Sequence, residues 1–419
     1  MPDLRDIIAR SRGGEPVAIP SVCTAHPEAL EASLTLAETL DQPIVIEATS
    51  NQVNQDGGYT GMQPMGFISF VNDIATKANV DTNRILFGGD HLGPQAWRRL
   101  LADQAMAKAH RMVADYAAAG FTKIHLDCSE GCAGEPAQLP DKITATRSAA
   151  LAATALQNAP DPKALLFVIG TEVPPPGGAR ADDHGDVPCT TPDAAKATLA
   201  THAEAFAALN LPLDQIGGLV VQPGVEFSPM EVHHLPLDRD PHLLDALTGW
   251  PSITLEAHST DYQRPEVYPR LARLGFAFQK VGPALTFAWR EALYALDALR
   301  SQCGWATGPG LAATMEEVML ANPACWQGHY KGADLRTQRH FGLADRIRYA
   351  WPDPQAREAV QQLLSDLQDK RLPDPMLLAH FSPSEIASAR ESRHSLPRAL
   401  ALARVATALR PYFFTDPRS

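Results

Sequence analysis

Eight short apolar or β-branched runs punctuate the first 290 residues, each closing on a polar or acidic cluster. They are Val17–Cys23, Pro43–Thr49, Ile85–His91, Lys123–Ser129, Leu166–Val173, Gly218–Val225, Ile253–Ser259 and Phe276–Ala284. Between them, apolar residues recur every three to four positions, the spacing of a helix with one buried face. These stretches are Pro27–Leu40, Phe67–Ala78, Ala96–Ala119, Ile143–Gln157, Asp193–Leu209 and Leu285–Leu299. Around His242–Leu247 and Tyr268–Leu274 proline interrupts the pattern, so the sixth and seventh crossovers are the weakest. A strand–helix unit repeated eight times predicts an α/β protein closed into a (β/α)8 TIM barrel. That architecture brings the C-terminal ends of all its strands to one mouth, where chemistry belongs.

From residue 304 the strand runs stop and only helical patterns remain. They cover Met315–Ala321, Leu343–Ala350, Gln355–Gln368, Pro383–Arg393 and Leu396–Arg410. The expected organisation is a barrel over residues 1–303 and a helical extension over 304–419, with a structural or oligomeric role for the extension. Three long loops, Ser50–Gly61, Gly131–Asp141 and Pro174–Thr191, fall on the catalytic face, where long loops serve binding or closure.

The formal charge of -12 argues against a nucleic-acid or anionic-membrane surface. The first residues lack a continuous apolar core for a secretory signal, and no run reaches the ~20 apolar residues of a membrane span. Six dispersed cysteines form no Cys-x-x-Cys pair, which fits free thiols and a cytoplasmic location. Gly308-x-Gly310-x-x-Ala313 has dinucleotide-like spacing but follows a helix rather than a strand, so no nicotinamide site is expected.

Strand three ends in Gly88-Gly89-Asp90-His91-Leu92-Gly93, which sets an acid/base carboxylate, Asp90, beside a metal-binding imidazole, His91. Strand seven ends in Glu256-Ala257-His258-Ser259, a second imidazole for the same mouth. A carboxylate would complete three ligands; Glu226 and Glu172 both qualify, with His233 and His234 as rivals farther into a loop. By strand alternation His125, Asp127 and Ser129 share one face, and Asp127 joins Asp90 and Glu172 as an acid/base candidate. Lys280 raises the question of a Schiff-base aldolase, but the neighbouring acids Glu47, Glu256 and Asp127 would keep its ammonium charged. It is therefore expected to be a structural or substrate-contacting cation. The loop after strand two is dense in amides and hydroxyls, and Glu47, Asn51 and Gln52 suit a polyhydroxylated ligand. Ser259 and Gly282 follow strands seven and eight, where barrels often cradle phosphate.

Through these residues the chain resembles the accessory, or "non-catalytic", subunit family of tagatose-1,6-bisphosphate aldolase. The likeness is carried by Ser21-Val22-Cys23-Thr24-Ala25-His26-Pro27, Ile46–Gln55, Gly88–Pro94, Lys123–Asp127 and Ile169–Pro174. It continues through Val221–Phe227, Glu256–Tyr262, Lys280–Phe287 and Ala344–Pro352, so it spans nearly the whole chain. A fainter similarity to zinc-dependent class II aldolases runs through Asp90-His91, His258-Ser259 and Lys280-Val281-Gly282. Those enzymes carry a zinc histidine on strand six, where this chain offers Gln222 and Glu226.

The resemblance implies a divalent metal, zinc first with manganese or magnesium as alternatives, and a sugar-phosphate substrate. It also implies 4-epimerisation of a ketohexose phosphate, tagatose 6-phosphate to fructose 6-phosphate. The C4 hydrogen of a 2-ketose is not next to the carbonyl, so simple deprotonation cannot invert that centre. Without a nicotinamide site, cleavage of C3–C4 and re-addition on the other face is the expected route. The expected ligands are then His91, His258 and Glu226, with Glu47, Asn51, Gln52, Gln222, Ser259, Lys280 and Gly282 on the substrate. Two rivals follow from the same resemblance: an accessory subunit complexed with a class II aldolase, and an aldolase that releases two trioses. A homo-oligomer is also compatible.

Overall fold

The computed structural model describes residues 3–170, 187–306 and 308–414. Its strands are β1 Ile19–Cys23, β2 Ile44–Thr49, β3 Ile85–Leu92, β4 Lys123–Leu126, β5 Leu166–Ile169, β6 Ile216–Val220, β7 Glu226–Phe227, β8 Val232–His233, β9 Thr254–Ala257 and β10 Phe276–Val281. Eight of them close a barrel in the order β1-β10-β9-β6-β5-β4-β3-β2, and every pairing within it is parallel. The expected TIM barrel is the observed fold. The strands β7 and β8 form a separate antiparallel hairpin between β6 and β9, which the apolar pattern did not reveal.

The helices are α1 Leu4–Arg12, α2 Pro27–Thr39, α3 Pro64–Ala78, α4 Ala102–Ala119, α5 Asp141–Asn158, α6 Pro192–Ala208, α7 Val267–Arg273 and α8 Pro283–Gln302. Proline opens α2, α3, α6 and α8, where its missing N–H costs no intrahelical bond. The sixth crossover carries only a 3-10 turn, Leu243–Leu247. The extension adds α9 Leu311–Ala321, α10 Leu335–Phe341, α11 Pro354–Gln368, α12 Asp374–His380, α13 Pro383–Glu391 and α14 Leu396–Leu409. Of these, α14 packs on α8 and α2, while α11 packs on α8 and α9. No helix among the described residues is long and apolar enough to cross a membrane.

Two apolar cores divide the labour. Outward strand residues such as Val22, Ile46, Ile124, Phe167 and Leu255 meet the helix layer in one continuous cluster. Inside the barrel, Ile19, Val45, Leu166, Val168, Val220 and Phe278 form a second cluster, joined by Leu4 and Ile8 of α1. The amino-terminal helix thereby plugs the lower end of the cylinder. Above this apolar plug, the same inward strand faces turn polar: Ser21, Glu47, Lys123, Glu256 and Lys280 are all buried. The lower barrel supplies cohesion, and the upper barrel is given over to charge.

The predicted helix Leu343–Ala350 is only a 3-10 turn, Arg346–Tyr349. Asp345 just before it adopts a left-handed backbone with φ 45°, which breaks helical continuation. The Thr286 hydroxyl of α8 donates to the Asp345 carboxylate at 2.5 Å, pinning this turn against the barrel.

Candidate active site

The upper barrel interior is a lattice of buried charge. The Lys123 ammonium is fully buried and lies 2.6 Å from Glu47 and 2.5 Å from Glu256. Lys280 lies 2.6 Å from Glu47 and 3.8 Å from Glu256, and contacts Asp90 directly. Burial alone would depress both lysines, but the facing carboxylates outweigh it and raise both. A Lys280 raised by its acidic neighbours is poorly suited to Schiff-base chemistry. Asp127, also expected beside it, bonds elsewhere. Gly88 makes room for this lattice, because a Cβ there would come within 2.8 Å of the Glu47 side chain.

Three imidazoles stand above the lattice, and a carboxylate holds each one. The Nδ1 of His91 pairs with Asp127 Oδ2 at 2.7 Å, and Nδ1 of His125 with Asp90 Oδ1 at 2.9 Å. The Nε2 of His258 pairs with Glu256 Oε1 at 2.9 Å. A carboxylate beside an imidazole orients the ring, and His125 Nδ1 in addition accepts the His91 backbone N–H at 3.2 Å. The Nε2 of His125 is buried and has no hydrogen-bond partner. Ring centroids lie 4.9 Å apart for His91–His125 and 5.2 Å apart for both His91–His258 and His125–His258. Three imidazoles on one tetrahedral zinc, at Zn–N of about 2 Å, would have centroids roughly 5 Å apart. The residues present fit a divalent metal.

Electrostatics agree with that fit. Burial and the nearby Lys280 ammonium push the His258 imidazole down to about 3, which keeps it neutral. Burial opposes the charge on Asp90, yet His91, Lys280 and His125 hold its carboxyl well below the usual range. Asp127 is lowered too, its burial outweighed by the hydrogen bond from His91. Three carboxylates (Glu47, Asp90, Glu256) contact the Lys123 and Lys280 ammonium groups, and a fourth, Asp127, pairs with His91. Asp90 and Asp127 raise the His91 imidazole against its burial, so the cluster is rich in negative charge.

The pocket at the mouth has a volume of about 110 Å³ and is lined by Cys23, Asp90, His91, His258 and Lys280 below. Its rim includes Asn51, Gln52, Tyr59, Ser259, Arg348 and Tyr349. Both His91, at φ 48°, and Ser259, at φ 52°, sit in the left-handed region, a strain the surrounding strands must hold in place.

The family model for D-tagatose-1,6-bisphosphate aldolase subunit GatZ/KbaZ-like matches residues 4–415. The chain belongs to the GatZ/KbaZ-like family. A D-tagatose 6-phosphate 4-epimerase of Agrobacterium fabrum (strain C58) is 46% identical over 395 residues, 92% of each chain. The D-tagatose-1,6-bisphosphate aldolase subunit GatZ of Klebsiella pneumoniae is 42% identical over 419 residues, 98% of each chain. A crystal structure from Sinorhizobium meliloti 1021, described as a probable tagatose 6 phosphate kinase, is 43% identical with a TM-score of 0.86. It covers 94% of this chain and 99% of its own.

Within this GatZ/KbaZ-like barrel, His91, His258, Asp90, Lys280, Asn51, Gln52, Ser259 and Gly282 come together at one pocket. Glu47 lies directly beneath, in the charge lattice. Glu226 sits in the β7–β8 hairpin, where its carboxylate accepts the Phe227 N–H at 2.9 Å, and it does not line this pocket. Gln222 closes its own turn by accepting from the Gly224 and Val225 amides. Glu172 and most of the loop Pro174–Thr191 lie outside the described residues. Asp127 is engaged on both oxygens, by His91 on one and by Ser129 on the other. The amides of Gly282 and Ala284 both donate to Asp261 Oδ1, at 3.0 and 2.8 Å. The start of α8, where a phosphate cradle was expected, is thus capped by a carboxylate.

Lys123 and Cys23 carried no site role in the sequence reading. His125 was placed on one face with Asp127 and Ser129, without that face being fixed as the interior. Arg348 lies in the extension, whose expected role was structural or oligomeric.

Proposed function

We propose that this chain is a metal-dependent 4-epimerase of ketohexose 6-phosphates, converting D-tagatose 6-phosphate to D-fructose 6-phosphate. The observation that carries this is the meeting of three carboxylate-held imidazoles, His91, His125 and His258, at the barrel mouth. A chain 46% identical and named for that reaction supports the choice of substrate. His125 replaces Glu226 as the third ligand.

When bound, a divalent ion at these imidazoles supplies Lewis-acid polarisation of the C2 carbonyl. The chain's own groups do the rest. Asp90, the carboxylate that lines the pocket, takes the proton of the C4 hydroxyl. The C3–C4 electron pair then moves onto the three-carbon fragment as an enediolate, and C4 becomes an aldehyde. Lys280 lies at the pocket floor, where its ammonium opposes the developing negative charge. The aldehyde turns about its C4–C5 bond and presents its other face. C3 attacks it, and Asp90 returns the proton to the new C4 oxygen. Asn51 and Gln52 at the rim orient hydroxyls, while Asp127 and Glu256 serve as positioning residues for His91 and His258.

The route is tested by running the conversion in D2O and reading the product by proton NMR. Cleavage and re-addition leave protium at both C3 and C4 of fructose 6-phosphate. Deuterium at C4 would contradict it. A second reading, an accessory subunit of an aldolase, is favoured by the 42% likeness to Klebsiella GatZ and does not exclude activity in the isolated chain.

A further inference from the structure

We propose that Arg348, supplied by the C-terminal extension, is the anchor for the substrate's phosphate, so that the extension completes the active site. This rests on the sugar-phosphate reading above and adds where the phosphate lies and what holds it.

Arg348 lines the mouth pocket and also a neighbouring cavity of about 450 Å³ between the barrel and the extension. Its guanidinium is tethered, with the Asp345 and Asp261 carboxylates acting on it electrostatically but not in an ion pair. One terminal nitrogen donates to the carbonyls of Ala344 and Asp345, and the other to the Tyr349 hydroxyl at 2.9 Å. It also lies 4.5 Å from the Tyr349 ring centroid. Among the described residues no carboxylate forms an ion pair with it. The other pocket cation, Lys280, is spent on Glu47, Asp90 and Glu256. A partly buried arginine fixed in direction and lacking a carboxylate partner is built to receive an anion, and its planar fork matches phosphate oxygens.

The rest of the pocket rejects a phosphate. Its floor is given over to the imidazoles and their carboxylates, which the reacting end of the sugar occupies. The start of α8, where barrels often bind phosphate, is taken by the Asp261 carboxylate. The pocket is therefore polarised, acidic below and cationic at the rim. A ketose 6-phosphate enters one way round, with C1–C4 over the imidazoles and the 6-phosphate against Arg348. The Ser259 hydroxyl is the second rim donor within the same pocket.

The test is calorimetric titration with D-fructose 6-phosphate and with inorganic phosphate, on the full-length protein and its variants. Arg348→Gln is expected to weaken fructose 6-phosphate about 30-fold and to abolish competition by inorganic phosphate, the loss of a charged hydrogen-bond donor. Arg348→Lys keeps the charge and stem but not the fork, and is expected to lose about tenfold. It serves as the test should the glutamine variant fail to fold. Affinity within threefold of wild type in a folded Arg348→Gln or Arg348→Lys variant overturns the proposal. If both ligands bind through Arg348 but no epimerisation occurs, the anchor stands and the proposed reaction fails. If epimerisation proceeds and Arg348→Gln leaves KM unchanged, the reaction stands and the anchor fails.

Discussion

At the scale of single residues, the site is decided by what stands behind each imidazole. Asp127, Asp90 and Glu256 each hold one ring nitrogen within 2.9 Å, and the three ring centroids lie 4.9 to 5.2 Å apart. Asp127→Asn tests this. The carboxamide leaves an NH2 where His91 or Ser129 needs an acceptor, and metal affinity is expected to fall about 10–100-fold. Competition with a chelator measures it, and an unchanged affinity would remove Asp127 from that role. His91 and His258 were legible in the sequence because each follows a strand run and precedes a polar turn. His125 lies one turn of the pleat deeper, inside the run itself. There its neighbours Ile124 and Leu126 are buried against the helices, and the pattern alone does not say which face looks inward. Glu226 was read as a ligand because it follows strand six closely in sequence; it falls in the β7–β8 hairpin, opposite His233.

At the scale of elements, the barrel strands were readable because burial on both faces demands near-continuous apolar residues. The helices α1, α10 and α12 were not, being seven to nine residues long with too few turns to show a period. The segment 343–350 was misread for a different reason. Its helical spacing is real, but Asp345 turns left-handed and converts the segment into the short turn that delivers Arg348 and Tyr349. The same aspartate is a strained electrostatic choice. Burial pushes its carboxyl up to about 6, and Oδ1 has no hydrogen-bond partner. Since the folded value lies above the unfolded one, the contribution of Asp345 is fully present below pH 4 and lost as pH rises through 6. Asp345→Asn keeps the acceptor for Thr286 and tolerates the left-handed backbone. Its stability relative to wild type is expected to rise from pH 4 to pH 8 by up to about 3 kcal/mol. Urea unfolding at the two pH values reads this directly; a difference independent of pH would show that Asp345 does not titrate as described.

At the scale of the whole molecule, three layers of one cylinder do different work. Apolar residues and α1 close the bottom, paired charges fill the middle, and imidazoles with a cationic rim form the top. The extension, expected from sequence to be structural or oligomeric, also contributes two residues to the pocket rim. Such long-range placement leaves no trace in local periodicity, which is why it emerges only from the fold. The central claim is that this chain, alone, carries a metal-dependent epimerisation. The most direct measurement is conversion of D-tagatose 6-phosphate by the isolated protein, before chelation, after chelation and after zinc is restored. Fructose 6-phosphate should form without any aldolase partner, stop on chelation and resume with zinc. No conversion with zinc, manganese or magnesium supplied, or conversion indifferent to chelation, would contradict the account.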